Sequence, residues 1–141
     1  MAVTATPVFI QAPKHSMVQI VPADTTANKT VVTAGSNGTK VFSLYCYSDD
    51  TATVNLRVSI VRSATTYPIT TVNIPLSAGL TSAIPPVNML ATPQFPSGML
   101  AKDADGQQYL FLVSGDTLVV NALVTVTAAK TVTVHSDHGD F

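Results

Sequence analysis

"TVNLRVSIVR", residues 53–62, decides the fold class. Val54, Leu56, Val58 and Ile60 alternate with Asn55, Arg57, Ser59 and the less polar Val61. A period of two puts one set on a buried face and the other on an open one, which is the signature of a β-strand. Immediately before it, "KVFSLYCYS" (40–48) alternates too. Phe42, Leu44 and Cys46 are expected on the inner face there, with Val41, Ser43, Tyr45 and Tyr47 outside. "SDDT" (48–51) separates the two runs, so they read as a hairpin with an Asp-rich turn. After them, "TYPITTVNI" (66–74) places Thr70, Val72 and Ile74 in phase, and Pro68 implies an edge position or a bulge.

A second group of strands closes the chain. "QYLFLV" (108–113) is apolar on both faces, "SGDT" (114–117) turns, and "LVVNALVTVT" (118–127) follows. Its inward set is Leu118, Val120, Ala122, Val124 and Val126; "AAK" (128–130) then leads into "TVTVHS" (131–136), with Val132 and Val134 inward. Weaker strands are expected at Val8–Ile10, Val18–Val21 and Thr30–Thr33. Between the two groups, residues 78–107 carry Pro85, Pro86, Pro93 and Pro96, with at most one helical turn at Val87–Leu90. An irregular stretch of this length is uncommon in a compact domain. Its apolar residues Val87, Met89, Leu90, Phe95, Met99 and Leu100 require that it pack on something.

Composition agrees. The 141 residues fit one domain, and Val and Thr, stiff at χ1 and suited to a pleated surface, dominate it. The expectation is a single all-β domain, a sandwich of two antiparallel sheets with about eight strands. An extended N-terminal arm (1–14), the Pro-rich excursion (78–107) and a short polar tail (136–141) complete it. Spacing alone leaves jelly-roll and immunoglobulin-like connections both open.

Charged residues make up 11% of the chain, against about 25% in an ordinary globular domain. All eight acids are aspartate. So little charge suits a surface partly covered by partner chains. Net charge of −1 and only two arginines, Arg57 and Arg62, give no footprint for nucleic acid or anionic lipid. "MAVTATPVFIQAPKHS" (1–16) lacks a basic start and a continuous apolar run, so synthesis and assembly in a cytoplasm are expected, with no membrane partner.

No chemical signal stands up to its plainer reading. "HSDHGDF" (135–141) concentrates two of the three histidines with two aspartates, yet read as a polar tail it offers nothing to hold a metal. His135 is expected to point outward, with His138 and Asp140 beyond the strand; His15 is placed in the Pro-flanked arm. "DADG" (103–106) lacks the Gly and Glu spacing of a calcium loop and reads as a turn before Tyr109. "GSNGTK" (35–40) lacks phosphate-loop spacing and reads as an Asn37-Gly38 hairpin turn. Cys46 is placed inward, where thiols are usually inert, and Asp49–Asp50 sits in a turn with nothing apolar to raise a pKa. The expectation is a protein with no catalytic residue, no cofactor and no metal. What remains is surface: Tyr45, Tyr47, Val61, Val119 and Leu123 share an outward phase that is too apolar for a solvated sheet. An interface, coverage by the long excursion, and a misread phase are all open explanations.

"SDDTATVNLRVSIVRSATTYPITTVNIP" (48–75) and "YLFLVSGDTLVVNALVTVTAAKTVTVHSDHGDF" (109–141) resemble small structural proteins of tailed bacteriophage heads. The likeness lies in the strand pair, the "TVNIP" exit, the "GDTL" and "TAAKT" turns and the "GDF" ending, and it is closest to capsid cement (decoration) proteins of the jelly-roll type. The resemblance implies a β-sandwich, jelly-roll rather than immunoglobulin-like. It also implies binding to the outer surface of an icosahedral capsid, with the major capsid protein and a second copy of the chain as partners. The partner interface is then expected at Val3, Val8, Phe9 and Ile10 of the arm, at Tyr45 and Tyr47, at Met89 and Phe95 of the excursion, and at Phe141. For Val8–Ile10 an edge strand of the domain itself is the alternative. The competing function is a carbohydrate- or receptor-binding module of a virion, with Tyr45 and Tyr47 as a stacking platform.

Overall fold

A computed structural model describes residues 9–91, 95 and 98–141. Among these residues ten strands form two antiparallel sheets, against the about eight expected; two of the ten are only two residues long. The strands are β1 (Ala12–Ile20), β2 (Lys29–Thr33), β3 (Thr39–Ser48), β4 (Val54–Arg62), β5 (Thr65–Ile74), β6 (Val87–Asn88), β7 (Ala101–Lys102), β8 (Gln108–Leu112), β9 (Thr117–Ala122) and β10 (Val132–Asp140). One sheet runs β1-β10-β3-β8-β7, with β6 added on β3; the other runs β2-β9-β4-β5. One set of pairings is nested: β1 with β10, β2 with β9, β3 with β8, β4 with β5; β10 with β3 and β9 with β4 join these pairs into the sheets. The described chain is thus a doubled-over ribbon whose first and last strands lie side by side.

The core lies between the sheets. Leu56, Val58, Val72 and Ile74 face it from one side, and Leu44, Cys46, Val132 and Val134 from the other. Pro68 lies on an edge strand beside a register shift that leaves Ile69 unpaired, where a missing N–H costs least. "DADG" is the turn between β7 and β8: Asp103 Oδ1 accepts from the N–H groups of Asp105 (3.1 Å) and Gln107 (2.9 Å).

Several expectations are corrected. "SDDT" does not close a hairpin, because β3 and β4 belong to different sheets; the segment is a corner that carries the chain across the sandwich. The same is true of "SGDT" between β8 and β9 and of Asn37-Gly38 between β2 and β3. Phe42 faces outward and is 41% exposed, while Val41 is buried. The ladder between β3 and β10 skips Phe42, so this residue is a bulge and the phase reverses across it. β9 ends at Ala122, which leaves Val124 75% exposed and only Val126 of the expected continuation buried. Val87–Asn88 is a short strand rather than a helical turn.

The largest correction concerns the end of the chain. β10 runs through Asp140 and lies between β1 and β3, so "HSDHGD" is central strand and not a tail. The "Pro-flanked arm" is likewise β1 from Ala12 onward. The excursion packs into the core through Ala78, Met89, Leu90, Phe95 and Leu100.

Candidate functional site: the open face of the six-stranded sheet

Because β1, β10 and β3 pair in register, their outward residues form ladders across the sheet. Gln19, Thr133 and Tyr47 make one row; Met17, His135, Tyr45 and Asn88 of β6 make the next. His15, Asp137 and Ser43 make the third. Met17 is 65% exposed, and Tyr45, Tyr47 and the bulged Phe42 stand out of the same face. An apolar set this dense on one open sheet face is more than a solvated surface requires.

The third row is polar and closed on itself. Asp137 accepts from His15 Nδ1 (2.6 Å) and from Ser43 Oγ (2.8 Å), and its own N–H donates to Ser43 Oγ (3.2 Å). The hydrogen bond from His15, then that from Ser43, holds the Asp137 carboxyl below its ordinary range. His135 touches both rows: its Nδ1 lies 3.5 Å from His15 Nε2, and the Tyr47 ring meets its ring edge-on at 5.1 Å between centroids. Shallow grooves flank the tyrosines. One of about 250 Å³ lies beside Tyr47, Leu80 and Thr131, and one of about 180 Å³ beside Tyr45, Phe42 and Asn88.

Contacts on both sides of the same strands hold the last residues of β10 in place. His138 is buried, and burial pushes its pKa down from the ordinary 6.5. Asp140 accepts from Lys14 Nζ and from the Thr39 hydroxyl, which hold its carboxyl below the usual value. Gly139 has no room for a Cβ because the Ile10 side chain lies over it. Among the described residues no group of three or more His, Cys, Asp or Glu side chains is arranged to cage a metal ion.

The expected interface residues separate into distinct classes. Val3 and Val8 lie outside the described residues. Phe9 is 73% exposed, whereas Ile10 is half-buried against Gly139 and is not in a strand. Tyr45 and Tyr47 share the open face as the alternation predicts. Met89 and Phe95 are core residues, fully buried, so their side chains are spent on their own domain and not presented at the surface, whereas Leu80 and Met99 of the same excursion stay exposed. Phe141 is docked rather than free: its ring lies against Phe111 at 5.7 Å, its N–H donates to Gly38 O (3.3 Å) and its carbonyl accepts from Asn37 Nδ2 (3.1 Å). With Gln11 it lines a cleft of about 580 Å³. Val119 is buried outside the core cluster, on the other sheet, and does not extend the tyrosine face.

Sequence reasoning missed Met17, His15, Asp137 and Phe42 as members of this face. Neither the protein-family models nor the curated proteins contain a match to this chain.

Proposed function

We propose that this protein is a non-enzymatic structural component of a virion. In this reading it binds the outer surface of an icosahedral phage capsid and cements neighbouring major capsid proteins against the pressure of packaged DNA. The observation that carries the reading is the open sheet face: Met17, Phe42, Tyr45 and Tyr47 are presented outward on paired strands of one sheet in a chain with 11% charged residues. Aromatic side chains with few rotatable bonds are the usual hot spots of an interface, and a standard patch of about 1,600 Å² reaches nanomolar affinity when they are well seated. The nested strand order, in which the chain folds as one doubled ribbon, supports the jelly-roll topology of the cement proteins that the sequence resembles. A second copy of the chain is the natural further partner, since repeated binding across a shell multiplies modest affinities by avidity.

The test is to sediment intact virus particles from the source culture and quantify the protein by mass spectrometry. Near-stoichiometric amounts relative to the main shell protein support the cement role; absence from the particles overturns it. The two grooves beside Tyr45 and Tyr47 favour a second reading, a carbohydrate- or receptor-binding module of the virion. A few copies per particle, with glycan binding that Tyr45→Ala abolishes, would replace the first reading with this one.

A further inference from the structure

The pairing of β1 with β10 brings together two histidines 120 residues apart in the chain, and their geometry is unusual for a surface pair. His15 Nε2 and His135 Nδ1 lie 3.5 Å apart, with ring centroids at 5.6 Å. At that range a direct hydrogen bond between the nitrogens is at its weak limit. Two imidazoles on one tetrahedral zinc ion, with Zn–N bonds of about 2.05 Å, place their nitrogens about 3.3 Å and their ring centres about 5.2 Å apart. Both observed separations are within a few tenths of an ångström of those values.

The surroundings fix which nitrogen is available. An ionised carboxylate only accepts, so His15 Nδ1 donates its proton to Asp137, and in the neutral ring the lone pair sits on Nε2, facing His135. Asp137 is itself oriented by the Ser43 hydroxyl and fixed by its N–H bond back to the same oxygen. A carboxylate on the far nitrogen of a histidine is the usual support behind a metal ligand: it sets the tautomer, aligns the ring and raises its basicity. His135 is held in turn by the edge of the Tyr47 ring. Both histidines stand on paired strands rather than on a loop, so little ordering is left to be done on binding.

We infer that His15 and His135 form a two-histidine binding site for a divalent transition-metal ion of the zinc class, oriented by Asp137 and Ser43. Two coordination positions stay open toward solvent, available to water or to a ligand from whatever docks on the face. Imidazole donors select zinc, copper or nickel over magnesium and calcium, which require oxygen ligands. The inference is independent of the virion reading, because it rests only on the sheet register and these four side chains.

The experiment is isothermal titration of the untagged full-length protein with zinc chloride, followed by cobalt(II), whose visible absorption reports tetrahedral coordination. Saturable one-to-one binding is expected, weakened by at least about tenfold in His15→Ala and in His135→Gln. Asp137→Asn keeps the shape of the side chain and should cost about 10–100-fold in affinity through the lost orientation of His15. Far-UV circular dichroism of each variant confirms that it is folded. No saturable binding at millimolar zinc overturns the site, and so does wild-type affinity in a folded His15→Ala/His135→Gln double variant.

Discussion

At the scale of single residues, the polar groups that look decorative in the sequence hold the fold's corners. Asp116 is buried and bound by the Arg62 guanidinium through two parallel hydrogen bonds, 2.6 and 2.7 Å, while its Oδ2 also accepts from the Val113 N–H. Such fork-on-fork pairs are the strongest hydrogen bonds available to side chains. Asp116→Ala leaves the Val113 N–H and the guanidinium without their acceptor and should lower stability by about 2–3 kcal/mol in urea unfolding. Arg62→Ala strips the buried Asp116 carboxylate of its counter-charge and should cost at least as much. A second test sits at Gly79, whose φ of +82° suits glycine and where a Cβ would run into the Tyr47 ring. Gly79→Ala should cost about 1–2 kcal/mol in backbone strain alone. It should also displace Tyr47, seen as a changed His135 ring resonance by NMR as the edge contact is lost. A Cβ that leaves that resonance unmoved would mean Tyr47 is not held as described.

At the scale of elements, the connections decide the topology, and they are the part least legible in the chain. β4 and β5 do form a true hairpin, but its two central residues are Ser63 and Ala64, with φ of 48° and 65°. Type I′ hairpin turns need that left-handed backbone and strongly prefer Asn-Gly, so this turn carries no sequence signal and some strain. Replacing it by Ser63→Asn with Ala64→Gly should raise stability by about 1 kcal/mol, a few degrees in a thermal melt. Conversely, "SDDT" and "SGDT" look like hairpin turns and are inter-sheet corners. A corner and a hairpin turn share the same short, polar, Asp-rich composition. What separates them is distant: Asp50 accepts from Thr127 N (2.9 Å) and Asp49 from Thr131 N, contacts no local window can show. The alternation holds where the ladder is regular, from Val54 to Val58 of β4 and in the outward Tyr45 and Tyr47, and breaks at Ser59, expected on the open face but buried beside the β4–β5 register shift. It failed at Phe42, where one bulged residue inverts the phase, and at Val124, where the strand stops before the pattern does. The His15–Asp137–His135 cluster was illegible for the same reason as the corners: its members meet only through the β1–β10 register.

At the scale of the whole molecule, the aspartates close a fold whose first and last strands pair, and this fixes how stability depends on pH. Asp140 ties the end of β10 to Lys14 and Thr39, Asp116 ties β4 to the corner before β9, and Asp50 ties the corner after β3 to the segment before β10. All three carboxyls titrate below the ordinary aspartate value of 3.8: Asp140 through Lys14 and then Thr39, and Asp116 through Arg62. At Asp50 burial opposes ionisation, but the bonds from Thr127, Ala52 and Thr51 outweigh it. A carboxyl depressed in the folded state binds fewer protons there than in the unfolded chain. Its contribution is therefore complete above 3.8 and is lost as pH falls through the depressed values. His138 follows the same sign from a different cause, since burial lowers it from 6.5; stability present above 6.5 declines as pH falls toward its lowered value. Thermal melts should thus fall in two stages, a shallow one beginning near pH 6.5 and a steep one below pH 3.8. The decisive quantity is a difference: the gap in Tm between wild type and His138→Leu should change with pH below 6.5 and be flat above it. A gap that is constant from pH 8 to 5 would mean that His138 takes up its proton as readily inside the sandwich as outside it. The neutral histidine that this packing demands at the end of the chain would then be wrong.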